Sequence, residues 1–144
     1  MPLTLLLLLF LWPVQPAQVV RRFDPPPQRW LAGHRGVDLG AQPGAVVRSA
    51  GAGRVSFVGS PGGVGTVTVS HAGGLRTTYQ PLSPTVALGD DITAGDQLGL
   101  LTAGREDCPA AACLHWGLLR GDAYLDPLAL LGLGQVRLMP LAQR

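Results

Sequence analysis

The 144-residue chain contains no lysine and no asparagine. All eleven of its basic side chains are arginine, and set against nine acids they leave a formal charge of only +2. So small an excess argues against nucleic acid as a partner, since phosphate binding draws on a concentrated basic surface. Alanine, glycine, leucine and proline are abundant alongside these absences, the composition of a GC-rich genome, and the arginine-only basicity therefore carries no message about partners. Charged residues make up just 14% of the chain and hydrophobic residues 47%, which excludes gross disorder and allows one packed core. The length allows a single domain. No apolar run approaches the ~20 residues that a membrane-spanning helix needs. Cysteine is scarce, with Cys108 and Cys113 alone.

The longest apolar run, Leu3 to Trp12, has the length of a signal-peptide core, and Ala17 offers a small residue for cleavage. Residues 1–17 therefore read as a signal peptide, and the chain as exported, extracellular or cell-wall associated. No basic residue precedes the run, and Gln15 stands two before Ala17. The rival reading is an uncleaved anchor reaching Val20, interrupted by Pro13 and Pro16, and only in that case is a membrane a partner. Residues 18–29 read as a linker stiffened by Pro25, Pro26 and Pro27. In an exported chain an even cysteine count favours a Cys108–Cys113 disulfide. The loop it closes is too short to constrain the unfolded chain much, so its role is local shape. The alternative is that Cys113 is a free thiol or a metal ligand.

From 30 to 131 the chain is punctuated by glycine and shows no helical period. Ala45–Ala50, Gly53–Val58, Gly65–Ser70, Leu75–Tyr79 and Leu114–Leu119 read as strands rich in Val and Thr. Ala72-Gly73-Gly74 supplies the positive φ of a hairpin turn. Gly89-Asp90 and Gly95-Asp96 look like two successive corners of a small barrel or sandwich. Asp126 caps a closing turn that begins at Pro127. Residues 132–144 show no pattern and are left unassigned.

His34 and Asp38 lie an even number of residues apart, on one face if the segment is extended, and His115 lies on a late strand. Two imidazoles and a carboxylate suit zinc with a fourth position open, although spacing alone equally fits a surface pair. The surrounding residues decide between these. His34-Arg35-Gly36-Val37-Asp38-Leu39, then Pro43-Gly44-Ala45-Val46-Val47 and Gly53-Arg54-Val55, resemble the M23 metallopeptidases, the LytM or lysostaphin-type domain. The resemblance continues through Val69-Ser70-His71-Ala72-Gly73-Gly74, the two Gly-Asp turns, Leu114-His115-Trp116-Gly117-Leu118 and Tyr124-Leu125-Asp126-Pro127-Leu128. It runs in order from about Leu31 to Leu131.

This resemblance implies an all-β fold, a small antiparallel sheet or sandwich of the LytM (duplicated hybrid motif) type. It also implies a zinc endopeptidase acting on the peptides of peptidoglycan. His34, Asp38 and His115 would be the ligands, and the zinc would polarise the scissile carbonyl and lower the pKa of water to about 7. Two positions depart from the family pattern. Its two non-ligand histidines fall here on Cys113 and on Pro81, in Tyr79-Gln80-Pro81-Leu82. Neither proline nor a bonded cysteine carries a proton, and each lost acid–base group removes about 10²–10⁴ in rate. The alternative function is therefore a catalytically impaired module that binds peptidoglycan or activates a separate cell-wall hydrolase; a third reading has zinc serving only the fold. Of the other polar residues, His71 reads as structural beside its turn, and Glu106 and Asp107 as a solvated loop. Tyr79 fits either a ligand contact or the core, and strand parity turns Trp116 away from His115 into the core.

Overall fold

A computed structural model describes residues 9–28, 33–103 and 107–132. The first eight residues, the expected domain start at Trp30 and Leu31, Glu106 and the tail 133–144 lie outside the described residues.

The described chain is all-β and antiparallel. In chain order the strands are β1 (Val19–Arg21), β2 (Val37–Ala41), β3 (Val46–Arg48), β4 (Gly53–Gly59), β5 (Thr66–Ser70) and β6 (Leu75–Gln80). They continue with β7 (Leu82–Pro84), β8 (Asp91–Ile92), β9 (Gln97–Leu101), β10 (Ala112–Arg120) and β11 (Ala123–Leu125). The larger sheet runs β1-β2-β10-β6-β5-β4-β8, with β11 also paired to β10, and the smaller runs β3-β9-β7. Alternation of Val and Thr builds β5: Val67 and Val69 are fully buried in the core, and Thr66 and Thr68 cover the other face. One continuous core joins Val37, Leu39, Leu114, Trp116 and Tyr79 of the large sheet to Val47, Leu82, Leu98 and Leu101 of the small one. Trp116 is fully buried there, as its parity on β10 requires.

The turns follow their chemistry. Gly73 and Gly74 have φ of 81° and 79°, which places the β5–β6 connection where side chains with a Cβ are strained. The two Gly-Asp corners are copies of one another. Asp90 Oδ2 accepts from the Ala87 amide at 2.9 Å, and Asp96 Oδ2 from the Thr93 amide at 2.8 Å. The second of these bonds holds the Asp96 carboxyl below its ordinary range. Asp126 accepts from the Leu128 amide at 3.0 Å and caps a 3₁₀ turn over Pro127–Leu131.

Two segments lie elsewhere than their sequence suggests. Residues 9–17, read above as part of a leader, lie on the domain, with Val14 1% exposed in the core. Residues 19–21, read as linker, form β1 against β2.

His71 fastens the end of β5. Its Nδ1 donates to the Ala52 carbonyl at 2.7 Å, so its Nε2 accepts from the Thr77 hydroxyl at 2.7 Å. Thr77 in turn contacts the Tyr79 hydroxyl at 2.7 Å, which accepts from the Ala50 amide at 2.9 Å. Tyr79 is thus a core residue, and burial raises its pKa. Burial likewise lowers the pKa of His71 from 6.5, partly opposed by its bond to Ala52. The unfolded chain therefore binds the proton more readily than the folded one. The stability tied to a neutral His71 is complete above the unfolded value and is lost as pH falls through the lowered folded value. With chelator present, the melting temperature from about pH 7.5 down to about pH 5 should fall more steeply in the wild type than in His71→Gln. Parallel profiles would remove His71 from the account.

Candidate metal centre

The site is assembled by β2, β10 and the segment leading into β2. On the paired strands Asp38 and His115 are direct cross-strand partners, so one short side chain from each meets on the same face. His34 precedes β2 and is fixed by a backbone bridge to Asp24, in which each amide donates to the other's carbonyl at 2.7–2.8 Å. The ring is fixed as well: His34 Nδ1 donates to the Arg22 carbonyl at 2.9 Å. That bond places the proton on Nδ1 and leaves a lone pair on Nε2.

His34 Nε2 lies 3.1 Å from Asp38 Oδ1, and His115 Nδ1 lies 3.0 Å from the same oxygen. The rings of the two histidines stand nearly edge to face, 5.0 Å apart. His34 and Asp38 are only 5% and 4% exposed, and His34 Nε2 has no hydrogen-bond partner despite its closeness to the carboxylate. The short contact and the missing bond are one fact. A lone pair and a carboxylate oxygen are both acceptors, and burying them face to face is unfavourable unless a cation lies between them. The three donor atoms lie within 4.8 Å of one another. Around a tetrahedral ion with bonds of about 2.0–2.1 Å, ligand atoms stand about 3.3 Å apart. The donor set, its spacing and the orphaned Nε2 all fit zinc.

His34 and His115 line a cavity of about 370 Å³ together with Arg35, Val64, Gln80 and Pro81. Pro81 therefore lies where sequence reasoning put it, beside the ligands and without a titratable group. Cys113 is fully buried on β10 and bonded to Cys108. That disulfide sets aside the free-thiol and metal-ligand readings of Cys113. Asp107 stands 3.8 Å from Arg21 of β1. Gln80 is the cavity residue that sequence reasoning missed. It pairs across the sheet with His115, and the Thr66 hydroxyl donates to its Oε1 at 3.0 Å. Parity held the signal: Tyr79 faces the core, so its neighbour Gln80 faces the ligands.

Gly36, between His34 and Asp38, is required by proximity. A Cβ there would lie 2.5 Å from the Trp116 carbonyl oxygen and 2.8 Å from His115 Nε2. Gly36→Ala should displace the His115 ring and weaken zinc binding by about 10–100-fold, the loss typical when ligand orientation is disturbed. Competition with a zinc-chelating dye measures it, and unchanged affinity would show that the ring tolerates the shift.

The model of Peptidase family M23 matches residues 32–127. An uncharacterized protein of Mycobacterium tuberculosis is 46% identical over 136 residues, covering 91% of this chain and 55% of its own length. The chain thus spans about half the length of these curated relatives. The crystal structure of a putative M23 peptidase from Pseudomonas aeruginosa superposes with a TM-score of 0.68 at 28% identity, covering 89% of this chain and 52% of that one. A zinc-containing peptidase from Vibrio cholerae superposes at 0.67 with 26% identity, covering 79% of this chain and 37% of that one. With a family match across most of the domain and the same antiparallel fold, this chain belongs to peptidase family M23.

Proposed function

We propose that the domain is a zinc metalloendopeptidase acting on the peptide cross-links of bacterial peptidoglycan. The observation that carries the metal is the buried, donor-less His34 Nε2 facing Asp38 Oδ1. His34 Nε2, Asp38 Oδ1 and His115 Nδ1 would hold the ion. Zinc so held supplies Lewis-acid activation of a peptide carbonyl and of water. The chain's own residues bind and orient the peptide. Gln80 offers amide N–H donors beside the ligands, and Arg35 lines the same cavity immediately after His34.

Proton handling is where this chain is poor. Pro81 cannot exchange a proton, and Cys113 is held in a disulfide. This observation supports the second reading, a module that binds peptidoglycan or activates another wall hydrolase while turning over slowly or not at all. Incubation of the zinc-loaded protein with peptidoglycan sacculi, followed by analysis of released muropeptides, separates the two. New peptide ends that vanish in His115→Ala support the peptidase. Retention on sacculi with no new ends supports the binding module.

A further inference from the structure

Residues 10–14 and 18–24 are both tied to the domain. The Leu11 amide donates to the Ala50 carbonyl and the Arg48 amide to the Pro13 carbonyl, both at 2.8 Å, so residues 11 and 13 are fastened to the backbone at and just beyond the end of β3. Three apolar side chains from this stretch reach inward. Phe10 stands edge-on to His71 at 5.4 Å, and it lies so close over Gly51 that a Cβ there would come within 2.5 Å of its ring. Trp12 lies 6.4 Å from Trp116, the residue after the candidate ligand His115. Val14 is fully buried in the core cluster.

Beyond Ala17 the attachments move to the candidate metal ligands. The Gly40 amide donates to the Gln18 carbonyl at 2.8 Å, and β1 pairs with β2 so that Arg21 lies opposite Asp38. The Arg22 carbonyl holds the His34 ring, and Asp24 holds the His34 backbone. Strand β2 is thus flanked by β10 on one side and by this segment on the other.

We propose that residues 10–24 are a clamp belonging to the folded domain, which holds His34 and β2 in place, and that the mature protein keeps them. Any cut by a leader peptidase then lies upstream of Phe10 and not at Ala17. A cut at Ala17 would remove Phe10, Trp12 and Val14 together and open the core between β3 and β10. It would also free the start of β1, and through β1 the Arg22 carbonyl that fixes the His34 tautomer. A carbonyl that orients a ligating imidazole is typically worth about 10–100-fold in metal affinity. The stability half of this proposal is independent of the proposed function; the metal-affinity half rests on the zinc reading.

The test uses the full chain. It is produced in an exporting bacterial host, and the N-terminus of the mature protein is read by intact mass. In parallel, full-length Val14→Asp and Trp12→Ala are compared with wild type, by melting in chelator and by zinc competition. The expected mature N-terminus lies at or before Phe10. Both variants should melt lower, Val14→Asp by ~10 °C or more because a carboxylate enters the core. Zinc affinity should fall with them. Should Val14→Asp fail to accumulate, Trp12→Ala carries the comparison from a partly buried position. A mature chain beginning after Phe10, or wild-type melting in both variants, overturns the clamp. If melting falls in chelator while zinc fails to bind even the wild type, the clamp stands and the zinc reading fails.

Discussion

Asp38→Ala should lower zinc affinity by more than the 10–100-fold typical of losing an orienting partner, because the ligand itself is lost. The carboxylate is the hub of the site, since both histidine nitrogens approach the same oxygen at 3.0 and 3.1 Å. It is also the negative charge in a ligand set whose other members are neutral imidazoles. Without it the ion meets two lone pairs and a buried gap. In the metal-free protein two effects oppose one another. Removing Asp38 relieves the acceptor–acceptor contact with His34 Nε2 but also loses the hydrogen bond to His115 Nδ1 at 3.0 Å, so the melting temperature in chelator should fall by far less than the zinc-loaded one. Wild type should gain stability on adding zinc, by the free energy of binding the native state, and Asp38→Ala should gain little at matched zinc. Isothermal titration and melting with and without zinc read both effects. A variant that keeps the wild-type affinity would place the metal elsewhere, and one that collapses in chelator would make Asp38 a structural residue.

The second large effect concerns rate. Pro81→His, and separately Cys113→His made together with Cys108→Ser, should each raise hydrolysis of a peptidoglycan cross-link peptide by about 10²–10⁴-fold, the range of one positioned acid–base group. Pro81 lines the ligand cavity, and Cys113 precedes His115 by two residues on β10, on the same face. Both positions therefore offer an imidazole a route to the reacting atoms. Pro81→His is the cleaner of the two, because Cys113 is fully buried and bonded. A gain in kcat with zinc affinity unchanged supports a site that is metal-competent but starved of proton carriers. If neither variant gains and the wild type is already fast, another group in this chain performs the proton transfer.

Much of this was legible in the sequence for local reasons. Val–Thr alternation fixed the face of β5, the paired Gly-Asp turns rest on an Asx bond within four residues, and Asp126 caps a turn two residues away. The grouping of His34, Asp38 and His115 was legible through resemblance more than through spacing, since His34 and Asp38 could have been a surface pair. What brings them together is a register between strands 77 residues apart. No local pattern encodes that register. The N-terminal segment reads two ways for a physical reason. A run of leucines with Phe10, Trp12 and Val14 has the hydrophobicity of a leader and equally that of a strap on an open core edge, and only packing distinguishes them. Gln80 is signalled only by its parity, one residue past the core-facing Tyr79, and that parity gains meaning only once β6 is paired with β10.

The most direct test of the zinc centre is X-ray absorption at the zinc edge on protein carrying one equivalent of zinc. His34, Asp38 and His115 predict a first shell of nitrogen and oxygen alone at about 2.0–2.2 Å, with the outer-shell scattering of two imidazoles, lost in part in His34→Ala. A sulfur contribution at about 2.3 Å, or a spectrum unchanged by that substitution, would contradict it.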